Sequence, residues 1–392
     1  MQAPIKQAAN VLIVGGGPVG AVLALVLAKQ GVASTVLEAR QQGAAYGESR
    51  ALALSFGSRR ILEKLGVWQH LAPYAAAINT IHVSQKGSIG RSILHAQDYR
   101  QAALGYVLSY GALSEALDIA RSTQSVINFI FEASAQSIVH TAAQASVTYT
   151  HQQQSCVLNS GLVVLADGGR SLDEIAGLLR DTKEYGHDAL IAKVRAELPH
   201  NNIAYERFTT DGPMALLPNG ERDFSLVWTG KKALIEPLLT LSDEAFLAQF
   251  HAQFGDRVGH FVSVEKRMCF PLRLSQLKAS DTPHLAVIGN AAQTMHPVAG
   301  QGFNVGLRDA EVLARHIVAT PVAELGDSEM LAAYRASRKT ETKNSLLFTD
   351  FLVNIFSNDI LGVSGLRSAG LGMFDVLKPL KKRLVSKMSF GK

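Results

Sequence analysis

The sequence is poor in the residues that staple small folds or hold metals. Its two cysteines, Cys156 and Cys269, stand alone, with no CxxC pair and no even set of spacings. That excludes a disulfide framework and a thiolate zinc site, and makes a reducing compartment the simpler setting. HExxH and clustered Cys/His ligands are also missing, so no metal is expected and metal-dependent hydrolysis has no support. No apolar run reaches the 18 residues of a membrane span; the best stretch, Ala21–Ala28, is far too short. The opening residues MQAPIKQAAN lead straight into an apolar strand and leave no room for a signal peptide. A cytoplasmic protein is the expectation. Charged residues make up only 18% of the chain against 47% apolar, which excludes a disordered or fibrous protein.

Net positive charge is confined to the end of the chain. Residues 331–392 hold eleven Lys/Arg against four Asp/Glu, so the other 330 residues are slightly acidic although the whole carries +5. A nucleic-acid binder carries its basic charge on the folded core, interleaved with aromatics; no nucleic-acid partner is expected.

With 392 residues the chain can bury two cores. Asn10–Val14 reads as a strand, Gly15–Gly20 as a glycine turn, Ala21–Gln30 as a helix closed by Gly31, and Ser34–Glu38 as the next strand. Such near-continuous apolar strands imply a buried parallel sheet. A helix follows near Ser58–Leu65, short strands fill Ile78–Leu94, and Tyr106–Tyr110 feeds a helix over Ala112–Ser122. Gly161–Ala166 is another buried strand. Residues 181–280 read as a mostly antiparallel sheet, before the chain returns through strand His284–Ile288 to a long helix near Gly302–Val318. The expected fold is α/β. A Rossmann-like nucleotide-binding domain (1–73, 100–180 and 281–325) is interleaved with an antiparallel β-sheet substrate domain (74–99 and 181–280), and a helical C-terminal region (326–392) follows.

Gly15-Gly16-Gly17-Pro18-Val19-Gly20 fits GxGxxG between a strand and a helix. Gly15 makes the turn, Gly17 admits a pyrophosphate, and Gly20 lets helix and strand pack closely. Pro18 suits the first helical turn, beside free N–H groups that face the phosphates. Glu38, eighteen residues after Gly20, can accept hydrogen bonds from both ribose hydroxyls and repels a 2′-phosphate, so FAD or NAD is expected rather than NADP. Ala39 and Arg40, just after it, are grouped with this site. Asp167-Gly168-Gly169 and Gly289-Asn290 each follow a buried strand.

That ordered set of three glycine turns resembles the FAD-dependent aromatic hydroxylases of the para-hydroxybenzoate hydroxylase type. The stretch from Gly289-Asn290 through His296-Pro297-Val298-Ala299-Gly300-Gln301-Gly302-Phe303-Asn304 to Arg308-Asp309 is similar to the signature of the ubiquinone-biosynthesis hydroxylases. Arg50-Ala51-Leu52-Ala53-Leu54-Ser55, Ala204-Tyr205-Glu206-Arg207-Phe208-Thr209 and Gly212–Pro218 carry the same likeness, which covers residues 10–340. Within the family the branch that hydroxylates 2-polyprenyl-6-methoxyphenol looks nearest.

The resemblance implies bound FAD, with NAD(P)H as a transient hydride donor and O2. The product would be the 1,4-benzoquinol, made through a flavin C4a-hydroperoxide. It places Arg50 on the flavin and its diphosphate, Asp167 and Gly168 near the pyrophosphate, and Gly289 and Asn290 on the ribityl chain, where the wider family has aspartate. A further contact comes from the helix after Tyr106–Tyr110. Gly300, Gln301, Gly302, Phe303 and Asn304 would start a helix whose dipole stabilises reduced flavin, with Pro297 stiffening the turn beside it. His296 and Pro297 are the candidate catalytic residues; a packed structural role for His296 stays open. Also open are hydroxylation of another ring position or of a small soluble phenol, a prenyl reductase, and a non-catalytic flavin-binding scaffold in a quinone-pathway complex. The basic amphipathic stretch 377–390 suits peripheral contact with the inner face of a membrane, docking to a partner enzyme, or packing on its own domain.

Overall fold

The structure is a computed structural model that describes residues 5–7, 10–87, 90–171, 175, 178–278, 282–294, 301–339, 382 and 385–386. Its first sheet is parallel throughout. The strands run Leu285–Val287, Leu162–Leu165, Val11–Val14, Ser34–Leu37 and Ile127–Ile130 across the sheet. Alternate residues serve two cores, as the period of two in a strand requires. Val11, Ile13, Val36 and Val164 pack under the helices Pro18–Lys29, Tyr110–Ser122 and Gln301–Ala319. Leu12, Val14, Leu37 and Leu165 pack instead on a meander of Ser134–His140, Ala145–His151 and Gln154–Ser160. The sequence does not advertise this meander. Its strands are rich in Ser, Thr, Gln and His, and only every second side chain is covered.

The second sheet is long and mostly antiparallel. Gln293–Thr294, Met268–Leu277, Arg180–Ala196, Asp223–Lys231, Gly212–Pro218, Ile203–Thr209, Thr80–Gln85 and Arg91–His95 are neighbours in that order. One pair is parallel: Thr80–Gln85 lies beside Ile203–Thr209, with Thr80 opposite Ile203. One face carries an aromatic core of Phe224, Trp228 and Phe261 under Phe246, Phe250 and Phe254 of the helix Asp243–Phe254. That helix stands where the sequence reads as strands and turns. Its signals are local: Ser242 caps Ala245 N, two acids fill the first turn, and phenylalanines recur every fourth residue.

The two halves meet at a seam. A small antiparallel sheet of Ala51–Ser55, Gly105–Ser109 and Ala76–Ile78 turns Ala51, Ala76 and Val107 toward Ile81, Ala204 and Leu217 of the long sheet. Val385, near the end of the chain, is buried in the same cluster.

Two side chains of the long helix lock the nucleotide half. Buried Asn304 accepts a hydrogen bond from Ser55 N at 2.8 Å and donates to Ala53 O at 2.9 Å. Asp309 accepts from Gly289 N at 3.2 Å and pairs with Arg338 at 2.7 Å, both side chains being under 10% exposed. Removing one partner of such a pair strands a buried charge. Arg338→Met should therefore destabilise the protein by about 3–5 kcal/mol, and the double change with Asp309→Leu should recover most of that loss in chemical denaturation.

Candidate functional site

Three glycines of the first turn do separate work. Gly15 sits at φ +103°, and a Cβ there would lie 2.6 Å from Asp167 N; its own amide donates to Leu37 O at 2.8 Å. Gly20 presses on the Gly15 carbonyl, where no side chain fits. Gly17 is open: the nearest atom to a Cβ there is Tyr110 Oη, 3.7 Å away. The helix beyond begins at Pro18 with no side-chain cap and no acid in its first turn. Its N–H groups and positive dipole end thus stay available to an anion held over Gly17. Val19 turns inward and fills the gap against Gly289 and Gly306. It is a spacer between the two motifs.

At the end of the second strand, Glu38 is 7% exposed. Its Oε2 accepts from Gly16 N at 2.9 Å, and its Oε1 accepts from Arg40 N at 3.0 Å and Arg40 Nε at 2.9 Å. Burial works most strongly against the Arg40 charge, but Glu38 and Tyr110 together outweigh it and hold the guanidinium above its usual pKa. Ala39 between them is exposed. Beside them opens a cavity lined by Gly16, Pro18, Glu38, Arg40, Tyr46 and Asp118. Tyr46 donates to Asp118 at 2.7 Å; burial and that carboxylate push its hydroxyl up to about 12.

Arg50 is exposed, its guanidinium 4.6 Å above the Tyr110 ring and 3.6 Å from Glu48. Arg40 reaches the same Tyr110 hydroxyl at 3.5 Å. Tyr110 begins the helix that follows Gly105–Ser109 and faces open Gly17, so it is a candidate for the helix contact that the sequence left unnamed. Asp167 spends its carboxylate on its own loop, accepting from Gly169 N, Ser171 N and Ser171 Oγ. Its backbone flanks Gly15, and Gly168 is exposed at φ +79°. Gly289 is buried, whereas Asn290 is exposed, with its Oδ1 3.8 Å from a Cβ placed on Gly302. Gln301 and Gly302 open the long helix, Phe303 packs toward the core, and Asn304 spends its amide on the strand Ala51–Ser55. His296, Pro297 and Gly300 lie outside the described residues.

The open cradle at Gly17, the uncapped helix and the Glu38 carboxylate fit a dinucleotide with a free 2′-hydroxyl. The FAD binding domain family matches residues 8–349. Ubiquinone hydroxylase UbiL of Rhodospirillum rubrum is 36% identical over 96% of this chain and 88% of its own. The chain belongs to the FAD-dependent hydroxylases of ubiquinone biosynthesis. The 3-demethoxyubiquinol 3-hydroxylase of Escherichia coli is 28% identical over 93% of this chain and 94% of its own. The solved p-nitrophenol 4-monooxygenase PnpA of Pseudomonas putida DLL-E4 shares the fold, with a TM-score of 0.77 over 98% of each chain at 15% identity. This hydroxylase is accordingly an FAD-dependent aromatic-ring monooxygenase.

Across the seam, Glu206 is half-buried on the long sheet and makes no hydrogen bond or ion pair among the described residues. Burial pushes its carboxyl up to about 8 from an ordinary value of 4.5. The sequence offers one signal for it, an acid inside an otherwise strand-like segment.

Gly17→Leu should keep the fold and lose the yellow of bound FAD, because the added atoms occupy the cradle. Gly20→Ala should lower thermal stability as well, because it strikes backbone. Glu38→Ala should weaken FAD binding by about 1–3 kcal/mol in a flavin titration, the range for a lost hydrogen bond to a charged group. The stability tied to protonated Glu206 is fully present below pH 4.5 and is lost as pH rises through about 8. Glu206→Gln should therefore raise the melting temperature at pH 8 and leave it nearly unchanged at pH 4.5.

Proposed function

We propose that the hydroxylase acts on the aromatic ring of a polyprenyl phenol, converting a 2-polyprenyl-6-methoxyphenol to the 1,4-benzoquinol. The observation that carries this reading is the chemistry of the seam. The side of the long sheet that looks toward the nucleotide half is lined by Ile81, Val83, Ala215, Leu217 and Val227. An electron-rich, uncharged ring with an apolar tail suits such a lining, since burying a polar or charged substituent there without a partner is costly.

FAD, once reduced by NAD(P)H, supplies the oxygen-activating chemistry. The chain's own residues do the rest. Gly15, Gly17 and the start of the helix at Pro18 hold the diphosphate, and Glu38 holds the adenosine ribose. Arg50, exposed and stacked on Tyr110, offers a cation to the diphosphate. Gly289, Asn290 and Gly302 form the backbone-lined edge against which the flavin end rests. The apolar seam orients the ring and keeps water from it.

The lipid tail of such a substrate ties the reaction to a membrane, and no helix among the described residues is long and apolar enough to cross one. We assign the surface contact to the basic stretch 377–390 at the cytoplasmic face, with a quinone-pathway complex as its other partner. Most of that stretch lies outside the described residues. Support comes from buried Val385, which anchors it on the seam, and from exposed Lys382.

Quinone analysis of a strain lacking this chain tests the reading directly. It should accumulate a polyprenyl methoxyphenol without the para oxygen, and the wild-type gene should clear it where a Gly17→Leu gene does not. Accumulation of a para-oxygenated precursor would move the reaction to another ring position.

A further inference from the structure

Glu206 sets an ionisable side chain among the apolar residues of the seam. Strand register puts Val83, Glu206, Ala215, Val227, Ile191 and Met268 in a single row across the long sheet. The row lies on the face opposite the phenylalanine core, whose own members are buried. Here Val83, Glu206, Ala215, Val227 and Ile191 are half-buried, and Met268 is exposed. This face is lined without being filled by the described residues. Two positions along from Glu206, Ala204 joins the cluster that touches Ala51, Ala76 and Val107 of the nucleotide half, so Glu206 stands at the edge of the contact between the halves.

No described charge faces it. The flanking positions on this face are Ile81, Val83 and Gln85 on one neighbouring strand and Pro213, Ala215 and Leu217 on the other. Ala51, Ala76 and Val107 approach from the facing sheet. Of the cations that share the face by strand register, Lys193 is held at 3.3 Å by Asp223 and at 3.4 Å by Glu265, Arg195 pairs with Asp223 at 2.7 Å, and Lys231 is exposed at the end of its strand, four positions along from Val227. A second polar group is also idle: Gln85 Oε1, diagonal to Glu206, is buried and accepts no hydrogen bond among the described residues.

We propose that Glu206 binds the hydroxyl of a neutral phenol at this seam, an assignment that rests on the aromatic-ring reading above. Burial keeps the carboxyl protonated at neutral pH, its value lying near 8. A neutral carboxyl offers one donor and one acceptor, the complement of a phenolic hydroxyl. Once ionised it loses the donor and sets a negative charge against an electron-rich ring. With no free cation beside Glu206 among the described residues, a ring bearing a carboxylate would be desolvated without a partner. Glu206 and the uncharged face around it thus select phenols that carry no acid group.

Difference spectra of the bound flavin in the purified holoenzyme test this. The probes are 2-methoxy-6-prenylphenol with a single prenyl unit, its O-methyl ether, and 4-hydroxybenzoate. For the wild type, the phenol should bind with a Kd that rises as pH passes about 8, and 4-hydroxybenzoate should give no spectral change. Glu206→Leu should weaken the phenol by about tenfold, the equivalent of one hydrogen bond, and leave the ether unchanged. Glu206→Gln should stay within about threefold of wild type and lose the pH dependence. FAD content reports whether each variant has folded, and the Gln variant carries the test if the Leu variant has not. Phenol affinity unchanged in Glu206→Leu, or a pH profile unchanged in Glu206→Gln, overturns the assignment while the hydroxylase reading stands. A wild-type flavin that responds to neither phenol nor ether overturns both.

Discussion

The close approach of backbone to backbone at the first turn holds the nucleotide half together. Gly15 lies against the amide of Asp167, Gly20 against the carbonyl of Gly15, and Gly16 against Phe129 and Glu38. Val19, on the same turn, fills the gap to Gly289 and Gly306. One six-residue segment therefore fixes the spacing of five stretches that are apart in sequence. Because these contacts are at the limit of van der Waals approach, they leave no slack. The empty volume above Gly17 is the exception, and it lies where the helix presents its unspent amides.

How much of this could be read beforehand depends on whether a residue's role is local. The glycine turn, Pro18 and Glu38 were legible because strand, turn, helix and carboxylate follow one another at fixed spacing. The seven-residue strand Gly212–Pro218 and its partners were legible from apolar runs and turns. Tyr110 was not. It reaches Arg40, Arg50 and the space over Gly17 only because Gly111 lets the Tyr46 carbonyl close on the helix start, and no spacing rule reports such a contact. Asn304 shows the opposite difficulty. It sits in the motif expected to face the cofactor, yet its amide bridges Ser55 and Ala53. Motif membership placed the residue, and only tertiary packing shows which way the side chain is used.

The two halves of the hydroxylase solve opposite solvation problems. The nucleotide half offers an open cradle over Gly17, an uncapped helix start, the buried Glu38 carboxylate and exposed Arg50 beside Tyr110. The long sheet lines the row around Glu206 with apolar side chains, and Lys193 is tied to acids at its margin. The three-stranded sheet between them carries hydrophobic side chains on both surfaces, some facing the nucleotide core and others facing the seam. That arrangement holds the polar cradle and the apolar seam a few strands apart.

The parallel pairing of Thr80–Gln85 with Ile203–Thr209 also bears on how the chain comes to be folded. Whatever leaves the ribosome before residue 203 carries Thr80–Gln85 and Arg91–His95 as a lone hairpin with one edge unsatisfied. The intervening parallel sheet and meander have to form around that waiting edge. Long-range pairings of this kind slow folding and leave strand edges open to the wrong neighbour. That edge stays open until the Ile203–Thr209 strand arrives to cover it.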